Sequence, residues 1–191
     1  MTTLAVRPAG TGAGTPLRAR LNISPMGPIV DGSFERFVFR PFKSSTTYQN
    51  LKAHGEGIFH VTDDALLIAR AAIGSLASKH LPVRPGRHVD GLVLTNACRC
   101  YELRVTKLDD QEDRTRIETE VLGVEQLRPF FGFNRARHAV LEAAILATRV
   151  FLTGKDAVLT EYDRLQVLVD KTGSRHEHEA MADLRKHVEA Q

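Results

Sequence analysis

The run RPFKSSTTYQN at positions 40–50 combines two cations with four consecutive hydroxyl side chains. The alternating residues before this run predict a strand over 34–40, and the run itself predicts a short helix over 46–53. Several of the hydroxyl side chains are able to cap that helix. Cations, hydroxyls and the free N–H groups of a helix N-terminus are the groups that bind a phosphate monoester. A cation here opposes the helix dipole, so Lys43 favours a bound anion. The alternative is one capping hydroxyl whose neighbours face solvent.

A second run, RPFFGFNRARH at positions 128–138, also places cations where a helix is predicted to begin. Arg135 and Arg137 follow a suitable asparagine cap and a group of aromatic residues. Because the helix dipole disfavours cations in a first turn, these two arginines predict an anionic ligand or partner, such as a substrate. The alternative is that they form salt bridges with Glu125 or Glu142.

The segment NISPMGP at positions 22–28 follows a predicted strand and breaks it at Pro25. A polar strand end of this kind exposes backbone groups where a strand normally pairs, so it favours contact with a flat ligand. An ordinary strand-ending turn explains the spacing equally well.

Other chemical signatures are missing or unsuited to catalysis. The sequence contains no Gly-x-Ser-x-Gly, His-Glu-x-x-His or P-loop motif. His176 and His178 lie two apart on a predicted helix and point about 200° away from one another, so we expect a solvated face and no metal. Cys98 and Cys100 are predicted to be free thiols, because residues two apart on a strand lie about 6.6 Å from one another, at the limit of a disulfide.

The composition is that of a packed soluble protein. The chain has 191 residues, of which 42% are hydrophobic and 26% charged, and its formal net charge is +3. A charge this small does not indicate broad binding to nucleic acid, and no apolar run is long enough to span a membrane. We therefore expect a cytoplasmic protein.

The hydrophobic periodicity predicts a mainly β protein with helices, an α+β fold, in which strands come first and helices last. The glycine-rich stretch 9–16 is interpreted as a flexible hairpin connection, because Pro16 and a strand follow where a phosphate loop needs a helix.

The last helix, 174–190, carries a thin apolar stripe of Met181, Leu184 and Val188, so its removal is expected to have little effect. The predicted strands are 2–7, 17–24, 34–40, 57–62, 92–108 and 114–125, with a helix from Asp63 to Ile73, a loop over 78–91, and helical spacing from Val140 onward.

Three segments together resemble the FMN-binding split-barrel, flavin-reductase-like superfamily: NISPMG at 22–27, FRPFKSSTTYQNL at 39–51 and GIFHVTDD at 57–64. The segment GFNRARHAVLEAAILATR at 132–149 narrows the resemblance to a branch of archaeal and bacterial proteins classed as domain of unknown function number 447.

The resemblance implies a six-stranded antiparallel split barrel over residues 1–128, a helical appendage over 129–191 packed on the barrel, and FMN bound at a homodimer interface. It also implies which residues hold the cofactor. Lys43 and the hydroxyl residues 44–47 match the phosphate-binding turn, with Arg40 as the neighbouring cation and Asn50 as a further cofactor-binding residue. Residues of the segment 22–26 match the stretch that lies along the isoalloxazine ring. The implied cofactor-binding residues are Asn22, Ser24, Pro25, Met26, Arg40, Lys43, Ser44, Ser45, Thr46, Thr47 and Asn50.

The function implied by the resemblance is that of an FMN-dependent oxidoreductase that passes hydride between a diffusible donor and the flavin. The donor is expected to be a nicotinamide or a reduced pterin-like molecule whose anionic groups meet Arg135 or Arg137. The alternative is a flavin-binding or carrier protein without its own catalysis, which docks a partner through its helical tail. No acid or base in the sequence decides between these two functions.

Overall fold

The computed structural model describes residues 2–6, 21–77 and 80–191, and these form two compact units. One is a β unit, Thr2–Thr62 with Ala77–Pro129, and the other is a helical unit, Asp63–Leu76 with Phe130–Gln191. The predicted glycine-rich connection over 9–16 lies outside the described residues. The division into domains at residue 128 stays a prediction.

The elements of the β unit are β1 Thr2–Val6, β2 Asn22–Pro25, β3 Ile29–Val30, β4 Arg36–Phe39, α1 Thr46–His54, β5 Glu56–Val61, β6 Val83–Pro85, β7 Leu92–Leu94, β8 Arg99–Asp109 and β9 Arg116–Gln126. Seven of these strands form one antiparallel sheet within the described residues, in the order β2-β1-β5-β8-β9-β4-β3. A separate hairpin pairs β6 with β7. The predicted count of six strands is therefore not confirmed, and the two edge strands of the sheet do not pair with each other in the described part of the chain.

An aromatic cluster fills the interior of the β unit. Alternation along β4 turns Phe37 and Phe39 inward, where they meet Phe59 of β5 and Tyr101 of β8. The ring centroids of Phe37 lie 5.2 Å from Phe59 and 5.1 Å from Tyr101. The opposite face of β4 carries Arg36, which is exposed.

The stretch 92–108, predicted as one strand, is divided into β7 and β8. A turn interrupts it, with the Ala97 N–H donating to the Leu94 carbonyl at 3.1 Å. The predicted loop 78–91 contains β6, which pairs with β7. Pairing of this kind depends on partners distant in the chain, and periodicity alone does not reveal them.

A buried carboxylate holds the loop that follows β6. Glu102 of β8 is only 4% exposed and accepts hydrogen bonds from the backbone N–H groups of Arg87, His88 and Val89, at 2.9, 2.6 and 3.1 Å to Oε2. The ring of His88 lies against β9 at Gly123, where an added Cβ would come within 2.5 Å of Cδ2. The absence of a side chain at Gly123 therefore allows this loop to seat on the sheet.

A buried histidine makes the stability of the β unit depend on pH. The Nε2 atom of His60 accepts a hydrogen bond from the Leu94 N–H at 3.0 Å, and burial lowers the pKa of His60 to about 3. The unfolded chain takes up a proton below pH 6.5 and the folded chain does not, so stability is fully present above pH 6.5 and falls as the pH falls. Between pH 6.5 and 5, we expect a loss of about 1.5 kcal/mol in the free energy of unfolding.

Urea unfolding at several pH values measures this loss, and His60→Gln is the control. Glutamine can still accept from the Leu94 N–H but does not titrate, so its stability should be flat over the same interval. A parent protein without any slope between pH 6.5 and 5 would contradict the assignment of a neutral His60.

The helical unit surrounds a core of small and medium apolar residues. The helix α2, Ala65–Ala72, is capped by the Asp64 carboxylate, which accepts from the Leu67 N–H at 2.9 Å; the predicted cap was the residue before it. Four helices follow in the second part of the chain: α3 Arg135–Ala147, α4 Val150–Thr153, α5 Lys155–Thr172 and α6 Arg175–Glu189. No helix in the described residues is long and apolar enough to cross a membrane.

Burial of the last helix argues against the prediction that it can be removed with little effect. Its residues Ala180, Met181, Leu184 and Val188 are all at most 2% exposed and belong to the core of the helical unit. The neighbouring helices are rich in alanine and allow α6 to approach closely. Even a narrow apolar stripe on α6 is therefore buried completely.

Candidate functional site

The phosphate-binding turn predicted from the sequence forms the N-terminus of α1. Ser45 is the N-cap, since its Oγ accepts from the Tyr48 N–H at 3.2 Å and donates to the Phe42 carbonyl at 2.7 Å. The N–H groups of Thr46 and Thr47 come next and have no partner within an ideal helix. The first turn of α1 contains no acidic residue. This end of α1 is therefore positive and has free donors.

The turn that precedes α1 is held by the loop between β8 and β9. The Lys43 N–H donates to the Asp113 carbonyl at 2.9 Å, and the Thr115 Oγ1 donates to the Pro41 carbonyl at 2.7 Å. The Arg114 guanidinium lies 5.3 Å from the centre of the Phe42 ring. These contacts fix the backbone of the turn while Arg40, Ser44 and Thr46 remain exposed.

Lys43 places its ammonium group on the same loop. Its Nζ donates to the Gln111 carbonyl at 3.3 Å, which leaves further N–H donors on the ammonium group. Within the described residues, no carboxylate lies within ion-pair distance of Nζ. Lys43 is thus positioned and still able to meet an anion.

A cluster that the sequence reasoning missed supports the other end of this loop. The Tyr48 Oη donates to Asp110 Oδ2 at 2.6 Å, and Lys52 Nζ lies 2.7 Å from the same oxygen. The hydrogen bond from Lys52 is the largest cause that lowers the pKa of Asp110, and Asp110 in turn raises the pKa of Lys52. The charged stretch 109–113 lies between the predicted strands 92–108 and 114–125, and nothing local in it indicates Tyr48 as a partner.

The polar strand β2 lies against α1, which brings the two predicted halves of the cofactor site together. The Thr47 Oγ1 donates to the Ser24 Oγ at 2.7 Å. Asn22 lies on the same face of β2 as Ser24, because alternate residues of a strand point the same way. Its Nδ2 atom is buried and has no hydrogen-bond partner among the described residues. Pro25 and Met26 are half-buried, and Asn50 of α1 is buried.

The second predicted anion site is organised differently. The N–H groups at the start of α3 are occupied, since Ala136 donates to Thr172 Oγ1 at 3.1 Å and Arg137 donates to Asn134 Oδ1 at 3.0 Å. The Arg137 guanidinium lies 3.2 Å from Asp63 and 3.5 Å from Glu177. These carboxylates account for its position without an external anion, and they are not the glutamates considered from the sequence.

Arg135 is exposed and has no ion pair among the described residues. Beside it, Phe131 and Phe133 are exposed, and the Arg137 guanidinium covers the Phe131 ring at 4.8 Å from its centre. The role of Arg135 and Arg137 in substrate binding stays a prediction.

The two cysteines and the histidine pair considered from the sequence lie outside this site. Cys98 and Cys100 form no disulfide, as predicted, and both are buried. Burial raises the pKa of Cys100 to about 11, so it is protonated at neutral pH. His176 and His178 are exposed, and no cluster of metal-ligating side chains occurs within the described ranges.

Solved structures share this fold. An FMN-bound protein from Methanosarcina mazei with the DUF447 family assignment has a TM-score of 0.78 at 23% identity, over 97% of this chain and 92% of that chain. The flavin reductase HpaC, solved with NADP+, has a TM-score of 0.53 at 14% identity, over 68% and 80% of the two chains. Flavoredoxin from Desulfovibrio vulgaris (Miyazaki F) has a TM-score of 0.52 at 17% identity, over 65% and 68%. The fold is therefore an antiparallel sheet with helices, similar to an FMN-binding split barrel.

Sequence comparison identifies the family. A search of curated proteins finds no match. The family model for the N-terminal domain of a protein of unknown function (DUF447) matches residues 13–128, and the second model of that family matches residues 134–186. The two matches span most of the chain, which therefore belongs to the DUF447 family.

Proposed function

We propose that this protein is an FMN-binding oxidoreductase in which hydride passes between a diffusible donor and the flavin. The observation that carries the proposal is the hydrogen bond between Thr47 and Ser24. It joins a positive helix N-terminus to the polar face of a strand, so an anion site and a surface for a flat ring lie side by side. FMN consists of a phosphate and a flat ring joined by a short polar chain. The FMN-bound member of the family supports the same cofactor.

The residues present fit this cofactor. The free donors of Lys43 and of the first turn of α1 suit a phosphate dianion, and no carboxylate of the described residues lies within ion-pair distance of Nζ. The Asn22 Nδ2, buried without a partner among the described residues, is an N–H donor suited to a carbonyl oxygen at the edge of the flavin ring. We therefore retain the whole predicted set of cofactor-binding residues as part of the proposal.

Each part of the site has a distinct task. FMN supplies the hydride chemistry when bound, and the protein supplies position and electrostatics. Lys43 and the N–H groups of Thr46 and Thr47 neutralise and orient the phosphate. Ser45 caps α1 and so keeps those N–H groups aligned, and the contact with Ser24 keeps the helix in register with β2.

The proposal includes a homodimer and a nicotinamide or reduced pterin-like donor. Within the described residues, β2 and β3 are the edge strands of the sheet, and a two-fold partner is the commonest means of covering such an edge. The flavin reductase solved with NADP+ has a related fold, which favours a nicotinamide donor. The proposal also takes residues 1–128 as the flavin-binding domain and residues 129–191 as a helical appendage.

Titration with FMN and riboflavin tests the cofactor site. Riboflavin lacks the phosphate, and each hydrogen bond to a charged group contributes about 1.5–3 kcal/mol, so we expect FMN to bind about 100-fold more tightly. Lys43→Ala should weaken FMN about tenfold and leave riboflavin within twofold. Lys107→Ala, which removes an exposed lysine from β8, is the matched control. Equal affinities for FMN and riboflavin would contradict the site.

The FMN-loaded protein then separates the enzyme from the carrier alternative. Anaerobic mixing with NADH, NADPH or a reduced pterin should bleach the flavin absorbance faster than it bleaches free FMN. The exposed run 130–133 favours the alternative of a carrier that docks a partner protein, since contiguous exposed aromatics mark such surfaces. If no donor accelerates the bleaching, the oxidoreductase proposal is wrong and the carrier replaces it.

A further inference from the structure

The loop that joins β8 to β9, residues 110–115, closes one side of the proposed phosphate site. Its backbone touches the turn before α1 directly. The Asp113 carbonyl accepts from the Lys43 N–H at 2.9 Å, and the Gln111 carbonyl accepts from the Lys43 Nζ at 3.3 Å. Direct hydrogen bonds leave no room for a ligand group between the two segments. The loop and the turn therefore form one continuous surface at the start of α1.

Two anchors fix this loop on the β unit. The Asp110 Oδ2 accepts from the Tyr48 Oη at 2.6 Å and from the Lys52 Nζ at 2.7 Å. Tyr48 is buried in the aromatic cluster of the β unit, so this anchor point is rigid. At the other end of the loop, the buried Thr115 donates to the Pro41 carbonyl at 2.7 Å. The position of the loop is therefore set by contacts at both of its ends.

The loop and β2 lie on different sides of α1. Thr47 faces β2, where it contacts Ser24. Tyr48 and Lys52 follow Thr47 by one and five residues, so they point about 100° and about 140° around the helix axis from it. The start of α1 is thus bounded by β2 on one side and by the loop on another. A ligand whose ring lies along β2 and whose phosphate reaches α1 ends at the loop.

The loop also carries negative charge. Glu112 and Asp113 are exposed and form no ion pair within the described residues. The third carboxylate, Asp110, is already paired with a lysine. The cation of the loop, Arg114, lies over an aromatic ring of the turn, 5.3 Å from its centre. Two free carboxylates therefore outweigh one guanidinium on the side of the site away from β2.

We propose that the β8–β9 loop makes this site specific for a flavin that ends in a phosphate monoester and excludes a flavin whose phosphate carries a further nucleotide. The inference rests on the proposed function. A terminal phosphate needs only the donors of Lys43 and of the first turn of α1. A flavin dinucleotide has a second phosphate and an adenosine to place beyond the first phosphate. There the loop occupies the space, and Glu112 and Asp113 repel the added charge.

Calorimetric titration of the protein with riboflavin, FMN and FAD tests this proposal. The parent should bind FAD at least about tenfold more weakly than FMN, partly because a phosphate diester has one charge less than a monoester. The loop variants isolate the rest of this preference. Glu112→Gln combined with Asp113→Asn should strengthen FAD about fourfold relative to FMN, since each exposed charge changes a binding constant by about twofold.

The matched control is Glu35→Gln combined with Glu120→Gln. It removes the same charge from two exposed glutamates, which line a cavity of the β unit together with Phe34, Arg36 and Arg99. In the described part of the chain, neither glutamate forms a hydrogen bond or ion pair with the side chains of the loop. The ratio of FMN to FAD affinity should therefore equal that of the parent.

Tyr48→Phe loosens the loop without changing its charge. Loss of one hydrogen bond to the Asp110 carboxylate should raise FAD affinity about threefold relative to FMN. Hydrogen exchange should quicken in the loop, whereas α1 keeps its protection. Tyr101→Phe is the control, because Tyr101 belongs to the same aromatic cluster and its hydroxyl meets Arg99, at 3.4 Å, instead of the loop.

The three flavins separate failure of this inference from failure of the proposed function. Equal binding of FMN and riboflavin would reject the phosphate site itself. FMN that binds more tightly than riboflavin, with a ratio of FMN to FAD affinity that neither loop variant changes, would leave the site standing and overturn the role of the loop. An equal loss of FMN and FAD affinity in both loop variants would show that the loop only supports the fold, and the proposed specificity would be wrong.

Discussion

Truncation of the chain after Gly173 should abolish the cooperative unfolding of the helical unit, and Leu184→Ala alone should lower the free energy of unfolding by about 3 kcal/mol. Leu184 is fully buried in the core of that unit, next to Met181 and Val188 of the same helix. Alanine leaves a cavity that the surrounding alanine-rich helices cannot fill. The measurement is urea unfolding followed by circular dichroism at 222 nm.

The matched control makes the same substitution on the surface of the same unit. Leu152 of α4 is 72% exposed, so Leu152→Ala should change the free energy of unfolding by no more than about 0.5 kcal/mol. Truncation also removes Glu179 and Asp183, whose carboxylates lie 2.5 and 2.9 Å from Arg70 of α2. A truncated chain that keeps the helical content and unfolding midpoint of the remaining helices would show that α6 is peripheral after all.

Replacing Glu102 by alanine is expected to destabilise the β unit by about 3–4 kcal/mol. The carboxylate is the acceptor for three consecutive N–H groups, and a buried N–H that loses its acceptor costs about 1–3 kcal/mol. Release of the 86–91 loop into water recovers part of this loss. The loss of stability is measured by urea unfolding, and the release of the loop is measured by hydrogen exchange.

Hydrogen exchange distinguishes loss of the hydrogen bonds between Glu102 and the backbone of residues 87–89 from a general loss of stability. The amides of Arg87, His88 and Val89 should lose their protection in Glu102→Ala more than the amides of β5 do. Glu118→Ala is the control, because Glu118 is a half-buried glutamate of β9 that accepts no backbone N–H of the 86–91 loop and forms an ion pair with Arg116 at 3.0 Å. Its effect should stay below about 1 kcal/mol, as for other surface pairs. Equal losses of stability and of amide protection in Glu102→Ala and Glu118→Ala would contradict the role of Glu102 in holding residues 87–89.

Local features of the chain predicted the α1 turn well. The strand 34–40 and the helix 46–53 correspond to β4 and α1, whose bounds are Arg36–Phe39 and Thr46–His54. A hydroxyl followed by helix-forming residues caps a helix through bonds within four residues, so its signal lies in the sequence itself.

The partners of that turn could not be predicted in the same way. Thr47 meets Ser24, and Tyr48 meets Asp110, across separations of 23 and 62 residues. These distances are set by the order of strands in the sheet, which brings the β8–β9 loop and β2 to the same helix. The composition of residues 109–113 would be the same whether or not Tyr48 lay beside them, so it does not indicate that contact.

Residue types and spacings of a few residues were enough to predict the hydroxyl turn at a helix start and the absence of a disulfide, because capping and sterics act over such distances. Short segments also carried the family resemblance, and the resemblance implied an antiparallel sheet. Packing of the folded chain, in contrast, buries α6 in the core and brings Asp63 and Glu177 to Arg137. It also places Phe34 beside a cavity lined by four charged residues that form no ion pair in the described part of the chain. Such features arise because packing joins segments far apart in the chain, and the free energy of burial depends on what each surface meets.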